Sequence, residues 1–189
     1  EQDTLQFRTA ENFYFQEKYD RAEEELTQYI NDFPRGYFKT IAHYYRADVY
    51  YRAEEYRKAL PDYEFVINAN NNQAYAEVSY LRAAKICHFI IEDYDKAFRY
   101  YEPMLELASL QQTKFEVLQA LMNLGYATKR FRKAEEYAKM MLDAPQASDE
   151  DLINAHYYLA KVNYERGIND EAMTQFTKVS ELTDNAKGV

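Results

Sequence analysis

The chain has 189 residues, 47% of them hydrophobic, and a formal net charge of -9. The apolar fraction is enough for a continuous core, and the acidic balance disfavours non-specific nucleic-acid binding, which needs a basic footprint. Four Gly and four Pro leave few breaks, Val and Ile never alternate with polar residues as in a strand, and no apolar run approaches the roughly 20 residues that span a bilayer.

The first predicted helix pair covers about 2–16 and 20–32, closed by Phe33-Pro34-Arg35-Gly36, since Pro and Gly punctuate helices. A second pair covers about 38–52 and 57–68, and Asn70-Asn71-Asn72 is a polar break after it. The third covers about 74–91 and 95–107. Pro61 lies near a helix start, where its cost is small; Pro103 lies deeper, removes the bond to the Arg99 carbonyl and predicts a bend. The fourth pair covers about 113–128 and 132–143 and ends at Pro145. Ser148 with Asp151 three residues later forms a capping arrangement for the fifth pair, about 149–166 and 170–183, and a polar tail, 185–189, follows.

These pairs are in phase. Ala22, Ala59, Ala97, Ala134 and Ala172 recur every 37 or 38 residues, and a fixed period in this range marks a repeat array. Four residues after each alanine come Leu26, Tyr63, Tyr101, Ala138 and Phe176; eight after come Ile30, Ile67, Leu105, Leu142 and Ser180. Such spacings fall on one helical face. Twelve before come Ala10, Ala47, Lys85, Met122 and Ala160, inside the preceding helix. A small residue lets two antiparallel helices approach closely, and Leu in its place would overpack the crossing by roughly 1–3 kcal/mol.

With Ala10, Phe13, Tyr19, Ala22, Leu26 and Pro34 in the first unit, Ala47, Tyr50, Tyr56, Ala59 and Tyr63 in the second, and Tyr94, Ala97 and Tyr101 in the third, the chain resembles the tetratricopeptide repeat family. Phe131 and Ala134 continue the pattern, and so do Leu159, Ala160, Gly167, Ala172 and Phe176, while Lys85, Met122, Gly125, Asn163 and Asn169 depart from it. The resemblance implies an all-α, right-handed superhelical α-solenoid of about five hairpins, here about 3–36, 38–70, 74–109, 113–145 and 149–184 as one continuous domain. The family's usual period is 34, so each unit here is lengthened. The Tyr-rich repeats and the phrase Tyr29-Ile30-Asn31-Asp32-Phe33-Pro34 are similar to bacterial cell-envelope members of the family. That likeness favours a periplasmic or outer-membrane-associated place over a cytoplasmic one.

Eight residues before each alanine stand Tyr14, Tyr51, Phe89, Tyr126 and Tyr164, all aromatic. By the resemblance this position faces the concave groove, together with Phe7, Tyr44, Arg82 and Tyr157 one heptad earlier and with Asp48, Asn123 and Lys161 between; Arg52 adds a charge. Such a ladder could hold a partner segment by its apolar side chains, as Tyr is enriched at interface hot spots, or could simply pack against the next helix. The family's clamp of cations for acidic chaperone tails is disfavoured, because Glu11, Asp48, Ile86 and Asn123 stand at the inward positions. Stacking of the aromatic faces on sugar rings, in a glycan- or peptidoglycan-binding module, is an alternative.

Motifs for chemistry are sparse. His43, His88 and His156 are scattered, and Cys87 stands alone, ruling out an intrachain disulfide. No HExxH, CxxC, phosphate loop or Gly-x-Ser-x-Gly occurs. The expectation is a noncatalytic protein-binding scaffold without cofactor or metal. The last predicted helix carries Phe176, Val179 and Leu182 with nothing after them. Either that face stays open, or further repeats of a longer array follow, or a second molecule covers it in structural self-assembly.

Overall fold

The computed structural model describes residues 1–71 and 73–187. Asn72, expected in the polar break, and Gly188 and Val189, expected in the polar tail, lie outside the described residues. Among those described, every regular element is helical. The chain divides into two compact units, Glu1–Asp93 and Tyr94–Val189, and the division falls between the two helices expected to form the third pair.

In the first unit, α1 (Gln2–Phe15) pairs with α2 (Tyr19–Asp32), and α3 (Lys39–Arg52) pairs with α4 (Tyr56–Ala69). Each of these helices has 14 residues. The connection 33–38 is longer than the turn 16–18 inside the hairpin, which accounts for the lengthened period. Then α5 (Gln73–Ile86) packs on α4 and runs directly into a π-helix, Cys87–Ile91. That π-helix was not legible in the spacing of apolar residues. It widens the last turn, so that Asp93 N bonds back to Cys87 O at 2.9 Å.

In the second unit, α6 (Tyr94–Tyr101) and the short α7 (Met104–Leu107) both pack on α8 (Gln111–Ala127). The bend expected at Pro103 is an interruption: α6 stops before it, and Leu105 N and Glu106 N bond back only three residues, to Glu102 O and Pro103 O. The proline ring cannot occupy a continuous α-helix without clashing with the carbonyl four residues earlier. After α8 come α9 (Phe131–Leu142), α10 (Asp149–Glu165) and α11 (Asn169–Lys187), each packed on its predecessor. The helix α11 runs through part of the segment expected as a polar tail. The capping box is present: Ser148 Oγ accepts from Asp151 N at 3.2 Å, and Ser148 N donates to Asp151 Oδ2 at 2.9 Å.

All five alanines of the repeat are buried, none more than 3% exposed. The crossing of α8 and α9 is close, since a Cβ on Gly125 would stand 3.1 Å from the Cβ of Ala134. Five residues before each alanine the backbone turns left-handed, at Glu17, Glu54, Glu92, Lys129 and Gly167, with φ between 58° and 76°. At four of the five turns the amide of the left-handed residue and that of the residue after it bond back to the first helix. Lys18 N reaches Phe13 O at 2.9 Å and Glu17 N reaches Tyr14 O at 3.0 Å, the Schellman arrangement that satisfies the last carbonyls of a helix. Each alanine N–H at these turns then closes the first turn of the second helix, as Ala22 N does to Lys18 O at 2.9 Å. Only Gly167 is a glycine, so four of these left-handed turns are held by packing rather than by residue type.

The core of the first unit is aromatic. Phe7 stacks on Phe38 with centroids 4.4 Å apart and lies 6.2 Å from Tyr45. Such pairs add about 0.5–1.5 kcal/mol beyond the area they bury. Tyr29 donates to Asp3 and accepts from Phe38 N at 3.1 Å, tying the start of α1 to the connection before α3. Gly36 is needed there because a side chain would collide with the Tyr29 hydroxyl. Between α3 and α4, Asp62 is 3% exposed and takes a two-pronged bond from Arg46 at 2.7 and 2.8 Å, with His43 Nδ1 at 2.7 Å. His43 stacks on Phe65 at 3.8 Å, a packing role.

Candidate functional site

The residues expected along the ladder form two clusters of different character. In the first unit the centre is Asp48 on α3, only 3% exposed. Tyr14 on α1 donates to its Oδ2 at 2.7 Å, Arg52 one turn along α3 donates to the same oxygen at 2.7 Å, and Arg82 on α5 donates to Oδ1 at 2.7 Å. Arg82 also reaches the Tyr63 hydroxyl at 2.7 Å and lies over the Tyr51 ring, 4.3 Å from its centroid. Burial by itself pushes the Asp48 carboxyl up, but the hydrogen bonds from Arg52, Tyr14 and Arg82 outweigh it and hold it below its ordinary value of 3.8. Tyr14 is driven far up by burial and then by its bond to Asp48, so its proton stays on oxygen. Arg82 is pushed down by burial, yet the bonds to Tyr63 and Asp48 prevail and keep it charged.

This cluster is a seam between three helices, sealed at the Asp48 carboxylate, with Arg52 at its exposed edge. Phe7, expected to line the groove, is 1% exposed and belongs to the core, because Phe38 and Tyr45 cover both its sides. Tyr44 is half-buried against Tyr75, with centroids 4.4 Å apart. Tyr51 is half-buried between Tyr56 and Arg82. Of the aromatic residues expected along the ladder in this unit, Phe89, at 65% exposed, presents an open ring; it lies in the π-helix with its ring 4.0 Å from that of His88.

In the second unit the centre is Lys161 on α10. Its ammonium lies 4.0 Å from the Tyr126 ring centroid, 5.0 Å from Tyr157 and 5.6 Å from Tyr158. Near the surface, a cation held by such ring contacts gains about 0.5–1 kcal/mol. Asn123 on α8 donates to the Tyr158 hydroxyl at 2.6 Å, and Tyr126 donates to Glu165 at 3.1 Å. Burial, followed by the bond to Glu165, raises the Tyr126 phenol. Tyr157 is 39% exposed, Tyr164 is 65% exposed, and Asn123 is exposed. This arrangement leaves broad aromatic faces in water beside one cation.

Tyr63 and Tyr158 were not anticipated as members of these clusters. Tyr14, Asp48 and Arg82 are spaced 34 residues apart, so that they meet about one helical turn out of the alanine register. The alanine period of 37 or 38 hid that spacing. Among the described residues, no group of three or more His, Cys, Asp or Glu side chains is placed to hold a metal, and no helix is long and apolar enough to cross a membrane.

Antiparallel helix pairs with buried small residues between them, within each unit, give the fold of tetratricopeptide-repeat proteins, whose usual work is to scaffold protein–protein contacts. The comparisons agree: residues 4–35 match the tetratricopeptide repeat model. No curated protein matches the sequence. Solved structures do. MamA AMB-1 is 17% identical over 97% of this chain and 92% of that one, with a TM-score of 0.63. MamA from Desulfovibrio magneticus RS-1 is 16% identical over 98% and 97%, with a TM-score of 0.56. A tetratricopeptide repeat protein from Parabacteroides merdae is 17% identical over 96% of this chain and 67% of that one, with a TM-score of 0.57. At such identities the likeness is one of fold.

Proposed function

We propose that the chain is a noncatalytic scaffold that holds a segment of a partner protein against the exposed tyrosines of α8 and α10. The carrying observation is the Lys161 cluster: Tyr157 and Tyr164 keep large ring areas in water while Lys161 and Tyr126 stand beside them. Tyrosine supplies apolar area with a polar tip and little conformational freedom to lose on binding, which suits an interface anchor. The sealed Asp48 cluster supports the α1–α3–α5 contact instead, and takes no part in capture.

The Tyr-rich repeats and the segment Tyr29–Pro34 support placing this scaffold in the bacterial cell envelope. Fractionation of the native protein tests that placement; recovery only in the cytoplasmic fraction rejects it.

The binding test is a peptide-array screen of the native chain beside the double variant Tyr157→Ala, Tyr164→Ala. Both positions are exposed, so the variant keeps the native thermal transition. Peptides captured by the native chain are lost to the variant. Equal capture by both would remove the tyrosine face from the function.

A further inference from the structure

The three rings around Lys161 come from two helices. Tyr157 and Tyr158 lie four and three residues before it on α10, so both share its helical face. Tyr126 closes a further side from α8, its centroid 4.0 Å from the ammonium. Among the described residues no carboxylate pairs with this ammonium; Glu165, one turn further on, is engaged by Tyr126 instead. A cation walled by aromatic faces is the arrangement by which proteins recognise cationic ligands. Here the protein's own side chain occupies it.

The surroundings favour a cation as the outside ligand too. Nearer the starts of α8 and α10, the same two helices line a cavity of about 590 Å³ whose walls carry Glu116, Glu150 and Asp151. Among the described residues that line it there is no Lys, Arg or His. The chain as a whole carries a net charge of -9, and a field of that sign draws cations and repels anions. Arginine suits the rings best. Its guanidinium is planar and weakly hydrated, so it stacks on tyrosine and leaves water at less cost than an ammonium does. Tyr157, at 39% exposed, keeps the approach open.

Given the capture by α8 and α10 proposed above, we infer that these rings are a cation site held in the free chain by Lys161, and that an arginine of the captured segment displaces Lys161 from it. The partner is then a basic segment. The displaced ammonium has Glu165, four residues further along α10, to move towards.

NMR titration with two blocked single residues tests this: N-acetyl-arginine amide, and N-acetyl-glutamate α-amide as the opposite charge. The arginine probe shifts the tyrosine ring signals of the native chain. As it saturates, the Lys161 Cε methylene, displaced by ring currents while it lies among the tyrosines, moves to its solvated position. Lys161→Ala empties the site and binds the arginine probe about 2- to 5-fold more tightly. Lys161→Met removes the charge but keeps the rings covered, and gains less. Adding Tyr126→Ala to Lys161→Ala abolishes the binding. No binding of the arginine probe to Lys161→Ala overturns the inference. Equal gains in the Ala and Met variants overturn it as well, since loss of charge alone would account for them. A Lys161 methylene that stays in place while the native chain binds the probe does the same. So does a glutamate probe that binds the native chain and not Lys161→Ala, because Lys161 would then be the contact for a partner carboxylate. Peptide capture, read with Tyr157→Ala, Tyr164→Ala, stands or falls separately from all of these.

Discussion

Asp48 and Lys161 stand at the same position of their repeats, eleven residues before Ala59 and Ala172, and their surroundings are opposite. Around Asp48, three side chains from α1, α3 and α5 aim donors at two oxygens, and the carboxylate is sealed. Around Lys161, ring faces surround an ammonium at 4.0 to 5.6 Å, and neighbouring tyrosines stay in water. A buried carboxylate needs directed donors to offset its lost hydration, so its cluster closes. An ammonium is satisfied by diffuse ring electrostatics that demand no such enclosure. One repeat position can therefore serve as a structural tie in one unit and as an exposed surface in the other.

The largest way to break this contrast is Asp48→Ala. It leaves Arg82 and Tyr14 half-buried without their shared acceptor, and should lower the unfolding free energy by about 3 kcal/mol in urea titrations. The same seam gives an acid dependence. Because the Asp48 carboxyl is held below 3.8 in the fold, its stabilisation is full above that value and is lost as pH falls through the lower folded value. Helicity followed during acid titration should fall on a shallower limb in Asp48→Asn than in the native chain.

Next in size is Ala134→Leu, which adds volume where Gly125 already brings the helices together, and should cost about 1–3 kcal/mol in thermal or urea unfolding. It disturbs the second unit through its core, whereas removing the Lys161 charge should not. Lys161→Met keeps the aliphatic stem and loses the ring contacts, at under about 1 kcal/mol. A loss as large as that of Asp48→Ala would mean that the two clusters do the same work. Smallest of all, Tyr164→Ala should stay within about 0.5 kcal/mol of the native stability, so any loss of peptide capture in that variant reports on the surface.

The hairpins were legible because their signals are local. The buried alanines, the apolar stripe that follows each, the cap at Ser148 and the break at Pro103 each act within a turn or two of helix. The left-handed turns were not legible, since Glu17, Glu54, Glu92 and Lys129 carry no mark that distinguishes them from solvated surface residues. Nor was the π-helix at Cys87–Ile91, whose wider turn leaves the apolar spacing of the neighbouring residues unremarkable. The ladder was half legible. Its aromatic column could be read off the chain, but Phe7 could not be told from Tyr164, and these proved to be a core stack and an exposed ring.

The sequence by itself determined the repeat, the helix pairs and the close crossings, because periodicity and capping depend on residues a few positions apart. Only the tertiary structure decided which aromatic and charged side chains are sealed and which face water. Desolvation is set by what helices some 34 residues away bring to the same spot, as Tyr14 and Arg82 do for Asp48, and no local pattern carries that information.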